Sequence, residues 1–288
     1  MRAALLACAA ALLAPAAGAA STRIALTIDD LPLHGPLPPG ETRVGIARRI
    51  ITALQAAHLP PTYGFVNAAA IEQEPDSAPV LDLWRKAGFP LGNHTWSHAD
   101  LDNVGPTAFA QEIIRNEAPL AARMTGEDWH WFRFPFLHEG SDPATRAAVR
   151  QVLAERGYRI APVTMSFGDY RWNAPYARLA AAQDTAGIRA LERRYLRAAN
   201  DALARDRVAA KGRYGRDTPF VLLMHIGAFD ARMMPRLLAL YRHRGVRFVS
   251  LTEAERDPAY AADVQPTLPP ALHAAMSEVA GPNDAPPR

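Results

Sequence analysis

Cysteine is nearly absent from this chain: one in 288 residues, Cys8. Cys8 lies in an N-terminal stretch with the marks of a leader, so the mature chain would carry no disulfide and no thiol nucleophile. A basic block is missing as well. Arginine is spread along the chain and the net charge is only +3, which fits solubility and a mild attraction to anionic envelope polymers and argues against nucleic-acid binding. No internal repeat and no second domain can be read, and no stable membrane span is expected once the leader is cut.

The first twenty residues hold one positive charge at Arg2, a short Ala/Leu run and the small residues Ala17, Gly18, Ala19 and Ala20. This pattern predicts a secretory signal peptide over 1–20 and hence an exported protein, periplasmic or extracellular. Too few residues separate Arg2 from Leu6 for a lipoprotein signal ending at Cys8. An exported chain without bridges must be held by its core, and 49% apolar against 21% charged residues makes that feasible at this size. One domain is expected over 21–257, followed by a Pro/Ala-rich flexible tail over 258–288 with a short helix near Ala259.

Within the domain, strand and helix patterns alternate. Ile24, Ala25, Leu26, Thr27 and Ile28 predict a buried strand that delivers Asp29 and Asp30 at its C-terminal end. Adjacent ionised carboxylates there need a cation, a proton or good donors; the plain alternative is a solvated turn before Leu31 and Pro32. A Pro/Gly loop over 33–40, a helix over 42–58, a strand over 62–66 and a helix over 78–87 lead to His94 and His98. Their spacing places two imidazoles on one face of a helical turn, a metal-ligand spacing that needs a third protein ligand from elsewhere, unless the pair is merely packed or exposed. One helix is expected over 106–124, then an aromatic strand over 129–136 with Arg133 in its middle, where an arginine either snorkels and stacks or serves a site. A helix over 143–156, a strand over 158–163 and a loop over 166–173 precede one or two helices over 175–213. The buried strand 219–224 ends in His225, a core histidine or a site residue. A last helix over 233–244 and a strand over 246–251 complete an α/β pattern with a mainly parallel sheet.

Four stretches in this order carry a resemblance: Thr27-Ile28-Asp29-Asp30, His94-Thr95-Trp96-Ser97-His98, Arg133-Phe134-Pro135-Phe136 and Leu222-Leu223-Met224-His225-Ile226-Gly227. Together the series resembles the motifs of the polysaccharide deacetylase family of carbohydrate esterases, from about Ile24 to Glu253. The resemblance implies a single-domain distorted (β/α) barrel. It implies that Asp30, His94 and His98 hold a divalent metal, zinc with cobalt, manganese or nickel as alternatives, and that Asp29 is the general base. It further implies His225 as general acid, Arg133 as the group orienting Asp29 and lowering its pKa, and the Phe136 backbone N–H as an oxyanion donor.

Three departures concern the substrate side and the acid. Asp-Asp-Gly of the family is here Asp-Asp-Leu-Pro, Arg-Phe-Pro-Phe runs into Leu137-His138-Glu139-Gly140 where a Gly would come at once, and the Asp that directly precedes a Trp is replaced by Asp169, three before Trp172; Asp169 is assigned as partner of His225, and Trp172 to the substrate side. The long stretch between Trp172 and His225 is expected to cover or narrow the cleft. The implied function is removal of acetyl groups from N-acetylated or O-acetylated sugars of an envelope or extracellular polysaccharide. The alternatives are hydrolysis of a non-sugar amide or imide on the same fold and a catalytically inactive polysaccharide-binding module.

Overall fold

The computed structural model describes residues 22–271, so the leader assigned to 1–20 and the last part of the tail, 272–288, lie outside the described residues. The strands are β1 (Thr22–Leu31), β2 (Gly64–Val66), β3 (Leu91–Asn93), β4 (Trp131–Phe132), β5 (Arg159–Ile160), β6 (Phe220–His225) and β7 (Val246–Val249). All pair in parallel, in the order β5-β4-β3-β2-β1-β6, with β7 pairing the start of β1. The sheet curls back on itself: just after β5, Met165 bridges to Leu222 of β6, on the far side from β1. The result is a distorted barrel whose strands are covered by helices outside and by each other inside. That double cover is why β1 and β6 read as near-continuous apolar runs, with all six residues of β6 buried.

The helices are α1 (Arg43–Ala56), α2 (Ala69–Gln73), α3 (Pro79–Lys86), α4 (Leu101–Arg115), α5 (Glu117–Ala121), α6 (Pro143–Glu155), α7 (Asn173–Ala181), α8 (Thr185–Tyr214), α9 (Ala228–His243), α10 (Leu251–Glu255) and α11 (Ala261–Val264). In α1 the buried Ile46, Ala47, Ile50 and Leu54 form one apolar stripe, and Thr42 caps the helix by accepting the Gly45 N–H at 3.0 Å.

Several expected elements are broken for identifiable reasons. The single helix over 106–124 is two. Pro119 has no N–H to offer the Arg115 carbonyl, so α4 stops at Arg115. At its other end α4 begins earlier, at Leu101, with Asp100 as cap and a kink at Gly105 (φ 75°), after which Pro106 restarts the helix. The aromatic strand shrinks to Trp131–Phe132 because Pro135 cannot pair and Phe136 and Leu137 turn with positive φ. Pro162 likewise ends the strand expected over 158–163 and sends the chain across to β6. Over 175–213 the chain forms most of α7 and α8. The stripe Leu191, Tyr195, Ala199, Ala202 and Leu203 of α8 is buried in the outer helical layer, so this stretch packs on the barrel wall and contributes no cleft residue among those described.

The first part of the tail segment is packed. Tyr260 donates to the Pro219 carbonyl at 2.8 Å, and Arg150 of α6, buried, donates to the carbonyls of Ala262, Gln265, Pro266 and Leu268 as well as to Glu139 at 2.7 Å. Replacing a buried cation that satisfies so many acceptors leaves them desolvated and unpaired. Arg150→Ala is therefore expected to cost about 3 kcal/mol in urea unfolding, with faster amide exchange concentrated in residues 258–271.

Candidate active site

The C-terminal ends of β1, β3 and β6 and the loop after β4 meet at one mouth of the barrel. Asp29 stands in register with His225 across the β1–β6 ladder. Successive side chains of a strand point to opposite faces, so two consecutive carboxylates would ordinarily diverge. Here Asp30 has φ 64°, which breaks the alternation and brings both into one cavity.

Asp29 is buried and faced by Arg133, whose Nη1 lies 3.2 and 3.1 Å from the two carboxylate oxygens. The same guanidinium donates to the Ala161 carbonyl and to Thr27 Oγ1 and sits 4.6 Å over the Phe65 ring. Burial outweighs the opposing charges of Arg133 and His225 and pushes the Asp29 carboxyl up to about 6. Arg133 thus lowers the value, as expected, without bringing it down to the ordinary range. For Asp30 the balance is reversed. Burial would raise it, but the hydrogen bond from His34 and the positive field of His225 hold it well below the usual carboxylate range.

His94 and His98 lie in the loop after β3, with positive φ at Thr95 and His98, and not on a helical turn as their spacing suggests. Neighbouring amides shape this loop. Asn67 Nδ2 donates to the carbonyls of His94 and Thr95, and Asn93 Oδ1 accepts the Thr95 N–H. Asn116 donates to Val66 O at 2.7 Å and to Asn93 Oδ1 at 2.9 Å. His94 Nδ1 donates to the Arg133 carbonyl at 2.7 Å, which fixes the tautomer and aims the Nε2 lone pair at the cluster. Burial pushes both imidazoles down to about 4, so they are neutral donors at neutral pH.

Candidate ligand atoms of Asp30, His94 and His98 all lie within 4.8 Å of one another. Asp30 Oδ1 is 3.5 Å from His94 Nε2 and 3.4 Å from His98 Nε2, and it is buried without a hydrogen-bond partner. A buried anionic oxygen facing two neutral imidazole nitrogens is a donor set that fits a divalent cation. A second group, Asp100, Asp102 and His138, is occupied otherwise, since Asp100 caps α4 and Asp102 accepts from Ser141.

His225, at the end of β6, gives its backbone N–H to Asp169 Oδ2 at 2.6 Å, and its Nδ1 lies 3.1 and 3.2 Å from the same carboxylate. Burial alone would lower His225, but the charge and hydrogen bond of fully buried Asp169 raise it to about 10. Gly168, at φ 68°, turns the chain into the short helix Asp169–Trp172 that presents this carboxylate.

Asp29, Asp30, His94, His98 and His225 line a cavity of about 340 Å³, together with His34, Phe134, Phe136, Leu137, His138, Ser166, Gly168, Tyr170, Arg171 and Leu223, while Arg133 and Asp169 stand behind its wall. Phe136 is 55% exposed and its ring stands edge-on to His98 at 4.5 Å. Trp172, assigned to the substrate side from the sequence, is not at the cleft. Its ring stands edge-on to Tyr195 at 5.9 Å in the helical layer, because the short helix turns it away. Tyr170, two residues earlier, takes the cleft position, 5.5 Å from the His225 ring. The sequence reading missed Tyr170 and His34; Tyr170 had no motif to mark it, and His34 sat in a Pro/Gly loop.

A parallel β/α barrel with acids and imidazoles gathered at the C-terminal mouth of its strands has the architecture of an enzyme site. A family model for polysaccharide deacetylase matches residues 17–161, half of the chain, and the chain belongs to that family. It is 31% identical over 111 residues to a chitin deacetylase of Arthroderma benhamiae, a match over 38% of this chain that spans only 28% of that relative's length. In fold it is similar to the chitin deacetylase from the fungal pathogen Colletotrichum lindemuthianum (TM-score 0.55, 20% identity, 81% of this chain and 87% of that one). It is also similar to a family 4 carbohydrate esterase pseudoenzyme from Bacillus anthracis (TM-score 0.54, 13% identity, 82% and 66%).

The amide of Asn116 ties the end of β2 to Asn93 of β3, and its Oδ1 also accepts the Ala68 N–H at 3.1 Å. Asn116→Ala removes all three bonds and leaves the Ala68 N–H unpaired, and is expected to cost about 2 kcal/mol, read as a shift of the urea midpoint with an unchanged slope.

Proposed function

We propose that this chain is a metal-dependent deacetylase that removes acetyl groups from N-acetylated or O-acetylated sugars of an envelope or extracellular polysaccharide. The observation that carries the reading is the convergence, on one cavity, of the Asp30/His94/His98 donor set with Asp29, backed by Arg133, and His225, backed by Asp169. The cavity volume lies at the small end of ligand sites and suits one sugar ring, with exposed Phe136 and Tyr170 offering apolar faces and Arg171, Ser166 and His138 polar ones.

Amide hydrolysis needs a nucleophile at neutral pH, a sink for charge on the carbonyl oxygen and a proton for the departing amine. A divalent metal held by Asp30, His94 and His98, zinc or alternatively cobalt, manganese or nickel, would lower the pKa of water towards ~7 and polarise the carbonyl. Asp29, ionised at neutral pH yet basic for a carboxylate, takes the proton of the attacking water, and Arg133 keeps its oxygens turned towards the cleft. The Phe136 backbone N–H adds a donor for the developing oxyanion. His225, held protonated by Asp169, gives its proton to the leaving nitrogen. An exported location fits such a substrate, and among the described residues no helix is long and apolar enough to cross a membrane.

The test is metal content paired with acetate release from acetylated chitooligosaccharides and from peptidoglycan. Wild type is expected to hold about one divalent metal and to release acetate, and Asp30→Ala to lose both. Asp29→Asn and His225→Ala should keep the metal while losing roughly 10² to 10⁴ in kcat/KM. Metal without acetate release would point to another amide or to a binding role, and a chain with neither would overturn the reading.

A pH profile tests the acid. Asp169 is what raises His225, so Asp169→Asn lowers the imidazole's pKa, and the alkaline limb of kcat/KM should move to lower pH. An unmoved limb would remove His225 from the role of acid.

A further inference from the structure

The loop 33–40 places a histidine against the cluster that belongs to none of the four matched stretches. His34 Nδ1 lies 2.7 Å from Asp30 Oδ2. A carboxylate only accepts, so Nδ1 carries the proton whatever the charge of the ring, and Oδ2 is spent on it. The other oxygen, Oδ1, is the buried atom left without a partner, and it is the one that faces His94 and His98. On its other side the His34 ring packs against the His225 ring, with centroids 4.8 Å apart and planes tilted by 42°. It is a wedge between Asp30 and His225.

The loop is built to hold that wedge still. Arg43, at the start of α1 and 9% exposed, donates to the Gly35 carbonyl at 2.8 Å and the His34 carbonyl at 3.3 Å, while its other nitrogens grip Glu74 at 2.9 and 2.9 Å. Asn173, directly after the turn that carries Asp169, donates to the Pro36 carbonyl at 2.9 Å. Gly35, at φ 61°, lies so close to Asn173 that a Cβ would stand 2.6 Å from its amide nitrogen, so only glycine allows this approach.

We infer that His34 is a positioning residue for the metal site. Its Nδ1–H pins Asp30 Oδ2 and so presents Oδ1 as a single ligand atom to the space between His94 and His98. The inference rests on the metal reading above, and it assigns a role to a residue outside the metal-holding set. Hydrogen bonds that orient a ligating carboxylate are typically worth 10- to 100-fold in metal affinity.

The experiment measures the zinc dissociation constant of the full mature chain by competition with a chelating dye, for wild type, His34→Ala and His34→Asn. X-ray absorption on the zinc-loaded proteins then counts the imidazoles around the metal. An asparagine places its amide nitrogen near the position of Nδ1, so it can restore the donor without restoring the ring. Expected are a loss of roughly 10- to 100-fold for His34→Ala, recovery of most of that loss in His34→Asn, and two imidazoles in every case. Wild-type affinity in His34→Ala, no recovery in a folded His34→Asn, or a third imidazole in the wild type would overturn the positioning role. Wild type without zinc would instead overturn the metal reading itself, which separates the two failures.

Discussion

One buried cation holds the candidate site together. Arg133, 1% exposed, reaches four groups from different parts of the barrel: the Asp29 carboxylate and Thr27 hydroxyl of β1, the Ala161 carbonyl after β5, and, through its own carbonyl, the His94 imidazole after β3. A guanidinium suits this place because it is planar, permanently charged and able to donate along several directions at once. Its aromatic floor, Phe65, shields it from water, so the pair with Asp29 acts at short range in a low dielectric. Without Arg133, Asp29 would be a buried uncompensated charge and would take up a proton.

Around that cation the protein separates chemically identical side chains. Of two adjacent aspartates, burial raises Asp29 to about 6, while the His34 hydrogen bond and neighbouring positive charge hold Asp30 far down. Of three histidines, burial takes His94 and His98 down to about 4, and Asp169 lifts His225 to about 10. Such divergence within a few ångströms is how a site obtains a ligand, a base and an acid from the same residue types. It also requires the barrel: parallel strands ending at one mouth let residues separated by more than a hundred positions share one dielectric environment.

Much of this was legible in the sequence, and the limits have physical causes. Short apolar runs ending in ionisable residues marked β1 and β6 correctly, because a strand buried on both faces leaves little other place for a charge. Asp169 could be picked out only by its nearness to Trp172, in place of the Asp-Trp pair of the family it resembles; its contact with His225 depends on a left-handed turn at Gly168 that no periodicity encodes. Trp172 failed as a cleft residue for the same reason, since a short helix sends side chains three apart in nearly the same direction and sends Trp172 away from Tyr170. The helical turn expected for His94 and His98 became a loop because Asn67, just after β2, captures the His94 and Thr95 carbonyls while Asn93 accepts the Thr95 N–H, and the contact with Asn67 is too distant in sequence to be read. Proline decided the remaining differences, at positions 119, 135 and 162, by withholding a single N–H each.

The similarity of this fold to that of a pseudoenzyme makes the barrel itself a weak argument for catalysis. What gives the reading its weight is that the costs of the site are paid in full. Two buried carboxylates, a buried guanidinium and several positive-φ turns are expensive to maintain. A module that only gripped a polysaccharide would need the aromatic wall and polar rim of the cleft, but not a carboxylate raised towards neutrality beside an orphaned anionic oxygen. Nor would it need Asp169 buried behind His225. The same reasoning places the particular character of this chain in its loops: His34 comes from the segment that departs from the Asp-Asp-Gly pattern, and Tyr170 from the turn that replaces the Asp-Trp pair. Both departures fall beside the Asp30, His94 and His98 cluster and leave it as it is, so they bear on how Asp30 is aimed and on the shape of the cleft.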